Sequence, residues 1–233
     1  MFKKIPILMY HSVCNDKNHL SIGVKKFEKQ LNIINKLGFK TVHFGDSIEK
    51  IKKPLVITFD DGYEDVYLNA LPLLKKFNLK ATCFIVSNLT GLSNIWDEDK
   101  KKFKKKKLMN FDQINKWLNS NMDIGSHTLN HNSLTEIPLS DAETEIYQSK
   151  KDLESMFKVN INSFSYPYGM YNNLISSIVR KHYNYGVTTK RSRFIMHKHD
   201  PSAIPRVHIN NNTNSLKFYL KINSFYEDLL FRL

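Results

Sequence analysis

Cysteine is scarce in this chain, and so are long apolar runs. Only two cysteines occur among 233 residues, Cys14 and Cys83, too few for a disulfide framework. Cys83 lies in the apolar run ATCFIV, where a small buried side chain fits. No stretch approaches the length of a membrane-spanning helix. The first apolar run, residues 5–10, is shorter than the apolar region of a secretory signal peptide.

These absences set an expectation for the cellular location. From the sequence as it stands, we expect a protein of the cytoplasm or of the inner face of the membrane. If an export signal has been removed, the expectation becomes an extracytoplasmic protein.

Negative charge is also in short supply, and the formal net charge is +13 at pH 7. Residues 100–107, KKKFKKKK, concentrate much of this excess, and we predict a lysine-rich loop at about 94–108. Such a loop is either a solvated segment or a patch that attracts an anionic membrane surface or an anionic polymer. Zinc-finger spacings, RNP-like segments and glycine-rich phosphate loops are missing from the sequence. No nucleic-acid partner is therefore expected.

Short apolar runs alternate with amphipathic stretches, the pattern of strand–helix units around a mostly parallel sheet. Strands are predicted at residues 5–10, 39–44, 54–59, 81–86, 122–125, 162–166, 185–189 and 203–209. Helices are predicted at residues 27–37, 67–77, 139–157 and 213–231. In the third helix, Ser140 and Glu143 have the spacing of a capping box. We predict a single α/β domain over residues 1–233, a closed or nearly closed barrel with catalytic residues at several strand ends.

The stretch PLVITFDDGYED, residues 54–65, leads an apolar strand into two adjacent carboxylates. A buried parallel strand excludes acids from its middle, so Asp60 and Asp61 are predicted to lie at its C-terminal end. Asp and Gly also favour plain turns, which is the alternative interpretation of DDG on its own.

His127 and His131 in SHTLNH are four residues apart, which we interpret as one side of a helical turn. Taken alone, such a pair more often contains solvated or capping histidines. With one carboxylate added, two imidazoles form a tridentate set for a divalent ion. One of the two adjacent aspartates would bind that ion, and the other would act as a general base towards an activated water. This is hydrolytic chemistry.

A third stretch, SFSYPYGMYN, ends a predicted strand in a Pro-Tyr-Gly turn. The turn can present a backbone N–H to a developing oxyanion, and its aromatic rings offer a platform of the kind on which sugars stack. Tyr166, Pro167 and Tyr168 are therefore candidate substrate-binding residues. A plain turn is the alternative.

The motifs TFDDGY, SHTLNH and YPYG occur in the order found in polysaccharide deacetylases of carbohydrate esterase family 4, the NodB-homology family. The chain resembles that family over residues 5 to about 209. With PILMYHSV at the start and DPSAIPRVHI near the end, it most resembles the branch that includes the poly-N-acetylglucosamine deacetylases. The resemblance implies a distorted (β/α) barrel that hydrolyses an N-acetyl group from an amino sugar.

The same resemblance implies roles for individual residues. It makes Asp60 the general base. It places a metal, usually zinc, on Asp61, His127 and His131. It assigns the backbone N–H of Tyr168 to the oxyanion hole.

Two departures from the family pattern concern cations near the base. Many family members have an arginine at the start of the third motif that orients the catalytic aspartate, where this chain has Ser165. Arg206 either supplies that cation from another strand or is a surface arginine. His208 is either the general acid for the leaving amine or a packed strand histidine. His11, at the end of the first strand, is predicted to face the pocket rim in a substrate-binding or supporting role.

The leading prediction is a metal-dependent N-deacetylase acting on an amino sugar in a polysaccharide, oligosaccharide or glycan precursor. A deformylase or deacetylase of a lipid-linked sugar at the membrane surface is the rival among hydrolases, and the positive charge favours it. A non-haem iron oxygenase also uses two histidines and a carboxylate, but Asp60 would then be idle. A catalytically inactive glycan-binding module would need no base beside a metal.

Overall fold

The computed structural model describes residues 3–16, 18–98 and 105–230. Its strands are β1 (Lys4–Ile5), β2 (Ile7–Tyr10), β3 (Ser12–Val13), β4 (Ser21–Ile22), β5 (Lys40–Thr41), β6 (Pro54–Phe59), β7 (Thr82–Ile85), β8 (Asp123–Ser126), β9 (Ser163–Ser165), β10 (Tyr185–Arg191), β11 (Phe194–Ile195) and β12 (Ile204–His208). Its α-helices are α1 (Val24–Lys36), α2 (Leu71–Lys76), α3 (Phe111–Leu118), α4 (Leu139–Phe157), α5 (Asn173–His182), α6 (Ser215–Asn223) and α7 (Tyr226–Leu230).

Seven strands of the described chain close into a parallel barrel. Their order is β2-β12-β10-β9-β8-β7-β6, and β6 pairs back with β2 to complete the ring. Strand β5 adds to β6 outside the ring, also in parallel. The predicted single-domain α/β barrel is confirmed. Because all ring strands run in the same direction, their carboxyl ends meet at one rim, where barrel enzymes carry their chemistry.

Ring strands β2, β6 and β7 are buried at every residue, as their largely apolar sequences require. All six residues of β6 are buried, and Leu8 and Tyr10 of β2 pair in register with Ile57 and Phe59. The rings of Tyr10 and Phe59 stack at 5.5 Å, and Phe27 of α1 contacts the Tyr10 ring edge-on at 5.4 Å. The apolar face of α1 therefore packs on the strands that carry the first motif.

Several predictions of element bounds and capping differ from the structure. The strand predicted at 39–44 shortens to β5. The helix predicted at 213–231 divides into α6 and α7, because Ser224 adopts an extended conformation and its hydroxyl accepts a hydrogen bond from the backbone N–H of Tyr226. The prediction of a Ser140–Glu143 capping box is wrong. Helix α4 begins one residue before Ser140, so Ser140 lies inside the first turn. Its hydroxyl donates a hydrogen bond to the carboxylate of Asp141 and does not cap the helix.

Part of the predicted lysine-rich loop can be located. Residues 99–104 lie outside the described part of the chain. Lys107 forms an isolated antiparallel bridge with Ser93, which brings the two ends of the segment together. Among the described residues, no helix has the length and apolar character needed to span a bilayer.

Candidate functional site

The first motif turns sharply where β6 ends at the carboxyl rim. The backbone N–H of Asp60 still donates to Tyr10 O at 3.0 Å, as a strand residue would. Asp61 and Gly62 then adopt the left-handed conformation in succession, with φ values of 74° and 71°. A side chain at Gly62 would also approach Ile85 to 3.1 Å. This turn sends the two adjacent carboxylates to different partners.

Asp61 meets the two histidines of the second motif. Its Oδ1 lies 3.3 Å from Nε2 of His127 and 3.4 Å from Nε2 of His131. All three residues are buried, and one potential ligand atom from each lies within 4.8 Å of the others. Burial opposes ionisation of Asp61, but hydrogen bonds from both imidazoles hold its pKa well below the usual value. This group of two nitrogen donors and one carboxylate could hold a divalent metal.

His127 has a hydrogen-bonded second nitrogen, as metal-binding histidines usually do. Its Nδ1 donates to Ser165 O at 2.7 Å, which leaves Nε2 facing Asp61. The acceptor comes from β9, the neighbour of β8 in the ring. The closed barrel therefore fixes the orientation of this imidazole.

The predicted helical turn between His127 and His131 is wrong. Both residues lie in a loop after β8, and Thr128 and His131 are left-handed with φ values of 69° and 64°. The backbone N–H of His131 donates to Thr128 Oγ1 at 2.9 Å. Residues four positions apart thus bring their imidazoles together through a tight loop rather than through helical periodicity.

Asp60 forms its hydrogen bonds with Arg206 of β12 rather than with the histidine pair. The guanidinium donates two parallel hydrogen bonds to the carboxylate, each of 2.7 Å. It also donates to Ser165 Oγ at 3.2 Å and to Thr188 O at 2.9 Å. Arg206 is fully buried, so its interpretation as a surface arginine is wrong. Burial opposes ionisation of Asp60, but the charge of Arg206 and its hydrogen bonds hold the pKa of Asp60 below its usual value.

The third motif forms a tight turn beside His131. Tyr168 is left-handed, with φ 57°, and its ring meets the His131 imidazole edge-on at 4.7 Å. Gly169 has φ 72°, and a Cβ there would come within 1.9 Å of Thr189 Oγ1, so only glycine fits. The Tyr168 side chain is 43% exposed. Burial raises its pKa to about 12, so the hydroxyl stays protonated near neutrality.

Two of the predicted substrate-binding residues need correction. Tyr166 borders the site, but its ring is only 1% exposed, stacks on Tyr171 and donates its hydroxyl to Ser202 O at 2.6 Å. Pro167 is buried in the turn. Neither ring forms an open stacking platform, because the strand that precedes the turn directs them into the core. Tyr168 is the ring of this motif that remains accessible.

His11 and His208 stand at the rim on adjacent strands. Nε2 of His11 lies 3.9 Å from Asp60 Oδ2. Nε2 of His208 instead donates to Thr189 O at 2.6 Å. Burial and the positive charges of Arg206 and Arg191 lower the pKa of His208 to about 4. His208 is therefore neutral near pH 7, and of these two histidines His11 is the one that forms an ion-pair contact with Asp60.

A cavity of about 470 Å³ joins these groups into one site. Its lining includes His11, Asp60, Asp61, Trp96, Asp97, His127, His131, Tyr168 and His208. The volume lies within the range of small-molecule sites. It is large enough to admit part of a carbohydrate chain.

A family model described as Polysaccharide deacetylase matches residues 47–187, which contain the two aspartates, both histidines of the second motif and the third motif. The chain belongs to the polysaccharide deacetylase family. The resemblance predicted from the three motifs is confirmed.

Two curated relatives of this deacetylase-family chain show how far the similarity extends. A Bacillus subtilis protein, YxkH, named as a polysaccharide deacetylase, is 32% identical over 195 residues; the match covers 80% of this chain and 65% of YxkH. The poly-beta-1,6-N-acetyl-D-glucosamine N-deacetylase of Staphylococcus aureus is 25% identical over 215 residues, covering 88% of this chain and 73% of that protein. The chain thus spans just under two thirds of the length of YxkH.

Solved structures show the same barrel. The Streptococcus pyogenes deacetylase PplD, solved with acetate, superposes with a TM-score of 0.83 at 24% identity, covering 96% of this chain and all of PplD. IcaB from Ammonifex degensii gives 0.75 at 20% identity, covering 90% and 93% of the two chains. At these identities the similarity establishes the fold alone.

Two parts of this deacetylase-family site were not predicted from the sequence. Glu145 of α4 is buried, and its carboxylate accepts hydrogen bonds from the backbone N–H groups of Leu129 and Asn130 and from the side chains of Asn130 and Asn132. An acid on the apolar face of a predicted helix, directly before Ile146, was the available signal. Trp96, with its neighbour Asp97, lies in a short 3₁₀ turn whose sequence carries no comparable signal.

Proposed function

We propose that this chain is a metal-dependent N-deacetylase that hydrolyses N-acetyl groups from amino sugars in a polysaccharide, oligosaccharide or glycan precursor. One observation carries the proposal: a buried, arginine-paired aspartate, Asp60, stands directly beside a buried Asp-His-His group in one cavity. Membership of the polysaccharide deacetylase family and the named activity of the Staphylococcus aureus relatives support it. Poly-β-1,6-N-acetyl-D-glucosamine is accordingly the first polymer to test.

Asp61, His127 and His131 would hold the metal, for which zinc is the ion we propose because two imidazoles and a carboxylate suit it. When bound, such an ion supplies Lewis-acid chemistry, lowering the pKa of a water and polarising a carbonyl. All three side chains are buried and their ligand atoms lie within 4.8 Å of one another, so the fold itself brings the proposed ligands together.

Asp60 would act as the general base that takes the proton of the attacking water. Its lowered pKa keeps it ionised at neutral pH, and the two hydrogen bonds from Arg206 fix its orientation. The backbone N–H of Tyr168 would donate to the oxygen that becomes negatively charged during the attack. Arg206 would thus position the base from a strand other than the one that carries the family arginine.

The leaving amine needs a proton, and His11 is better placed to supply it than His208. His11 lies 3.9 Å from the carboxylate that collects the proton. His208 is tied through Nε2 to Thr189 and is neutral near pH 7 because its pKa is about 4. We therefore propose His11 as the general acid, and His208 as a neighbour that remains uncharged beside it.

The rival functions fit the site less well. An oxygenase or an inactive glycan-binding module would leave the Asp60–Arg206 pair without a task, although burying such a pair is costly. A lipid-linked sugar remains a second candidate substrate because the net charge of +13 favours an anionic surface. Co-sedimentation with anionic and neutral vesicles measures that preference.

The decisive experiment combines metal analysis with acetate release. Native protein and the Asp60→Asn variant are purified, their bound zinc is quantified, and both are incubated with N-acetylglucosamine oligomers. We expect equal zinc content in the two proteins and at least a 100-fold lower rate of acetate release by the variant. Equal rates in the two proteins would refute Asp60 as the base, and no acetate release by zinc-loaded native protein would refute the substrate class.

A further inference from the structure

The two histidines of the proposed metal site differ in how they are held. The Nδ1–H of His127 donates a hydrogen bond to Ser165 O. Nδ1 of His131 is equally buried, yet no described residue offers it a hydrogen-bond acceptor. Metal-binding histidines almost always use such an acceptor to fix the ring. Another contact must therefore set the orientation of His131.

Three aromatic rings contact the His131 imidazole, and one of them is the His127 imidazole, which meets it edge-on at 4.7 Å. Trp96 stacks on it with a centroid distance of 4.4 Å and an interplanar angle of 22°. Tyr168 meets it edge-on at 4.7 Å. His131 itself sits in a left-handed loop position, φ 64°, where no regular backbone structure restricts the side chain. Of these three rings, Trp96 is the one that stacks face to face on the imidazole, and the other two meet it edge-on.

The turn that carries Trp96 is anchored through Asn94. Asn94, two residues earlier, exchanges hydrogen bonds with Lys106: its N–H donates to Lys106 O at 3.1 Å, and its Oδ1 accepts from Lys106 N at 2.6 Å. The Lys106 ammonium donates to Ser12 Oγ at 2.6 Å and to Asp65 Oδ2 at 3.0 Å. The turn of Trp96 is therefore held, through Asn94 and Lys106, to β3 and to the segment that follows β6.

We propose that Trp96 is a positioning residue, which orients His131 for the metal by ring stacking in place of the missing hydrogen bond. The inference rests on the proposed metal site and adds to it a residue outside the three motifs. Stacking restricts the rotation of the imidazole and keeps Nε2 directed at Asp61. Loss of an outer contact of this kind typically weakens metal affinity by about 10- to 100-fold.

The test is metal affinity in the full chain, measured without substrate. Dissociation constants for Zn²⁺ and Co²⁺ are determined by competition with a chelator for native protein, Trp96→Ala, Trp96→Leu and Trp96→Phe. We expect at least tenfold weaker binding for the alanine and leucine variants. Phenylalanine keeps a flat ring and should restore affinity to within about threefold. Ile95→Ala, an exposed change in the same turn, is the matched control and should bind as native protein does.

Two further readouts separate positioning from a general loss of structure. The visible spectrum of bound Co²⁺ should change in the leucine variant and be native-like in the phenylalanine variant. Thermal unfolding of the metal-free proteins reports which variants are folded. If the alanine variant is unfolded, the metal affinity of the leucine variant tests the positioning role of Trp96. Native affinity and a native Co²⁺ spectrum in folded Trp96→Leu would overturn the inference and leave the proposed function intact. Absence of metal binding by native protein would overturn both.

Discussion

At the scale of single residues, the pairing of Asp60 with Arg206 is the most costly feature of the site. Taking both charges out of water carries a penalty of several kcal/mol per ion, which is offset only by good geometry and full hydrogen bonding. Here the guanidinium binds the carboxylate through two nitrogens and places its remaining donors on Thr58, Ser165 and Thr188. Such an arrangement fixes the direction of the carboxylate as well as its charge.

Arg206→Lys tests this arrangement because lysine keeps the charge but cannot form the two parallel bonds. We expect a kcat about tenfold or more below that of native protein, with unchanged zinc content. Arg180→Lys is the control, since Arg180 forms an exposed pair with Asp200. Unchanged kcat in a folded Arg206→Lys protein would show that the orientation of Asp60 does not depend on the two parallel hydrogen bonds from the guanidinium.

A second residue-scale prediction separates His11 from His208. His11→Ala should lower kcat by about 100-fold, the usual contribution of a general acid, while zinc is retained. His208→Ala should lower it by less than about tenfold, because an imidazole with a pKa of about 4 carries no acidic imidazolium proton near neutrality and its remaining N–H is donated to Thr189 O. Steady-state acetate release at pH 7 measures both. A larger loss of kcat in His208→Ala than in His11→Ala would instead indicate His208 as the general acid.

At the scale of elements, a helix on the outside of the barrel supports the loop that carries His127 and His131. The bounds of α4, Leu139–Phe157, coincide with the helix predicted from apolar spacing, and this helix places Glu145 beneath the loop. The carboxylate satisfies backbone donors that a left-handed loop cannot pair with its own carbonyls. Loop and helix therefore form one structural unit.

Glu145→Gln should disturb this unit, because the amide nitrogen would face N–H donors instead of accepting from them. We expect the free energy of unfolding to fall by ~1–3 kcal/mol and zinc affinity to fall by about tenfold. Urea denaturation and chelator competition measure the two effects. Glu143→Gln, on the exposed side of the same helix, should change neither. Native zinc affinity in Glu145→Gln would show that the loop holds its shape without this carboxylate.

At the scale of the whole molecule, barrel closure buries groups that have no part in the chemistry. Asp123 at the start of β8 is one of them, and burial raises its pKa to about 6. In the unfolded chain the carboxyl loses its proton near pH 4, whereas in the folded protein it keeps the proton to about pH 6. Folding therefore takes up a proton in this window, and the contribution of Asp123 to stability declines as pH rises from about 4 to 6.

Asp123→Asn removes the ionisable group and keeps its shape. The variant should be more stable than native protein by ~1–3 kcal/mol at pH 7, with a difference that shrinks towards zero at pH 4. Thermal or urea unfolding at a series of pH values measures it. A stability difference that does not vary between pH 4 and 7 would show that Asp123 titrates normally in the fold.

The sequence by itself predicted the barrel and the four residues that the structure brings together at its rim. Apolar periodicity is a local property, so it placed the strands and α4, and motif order gave Asp60, Asp61, His127 and His131. The partners of those residues were decided by the tertiary structure. Arg206 lies 146 residues from Asp60, and ring closure alone brings β12 beside β2 and the end of β6. Burial of Tyr166, the left-handed loop around His131 and the stacking of Trp96 likewise arise from packing between distant segments, on which local sequence carries no information.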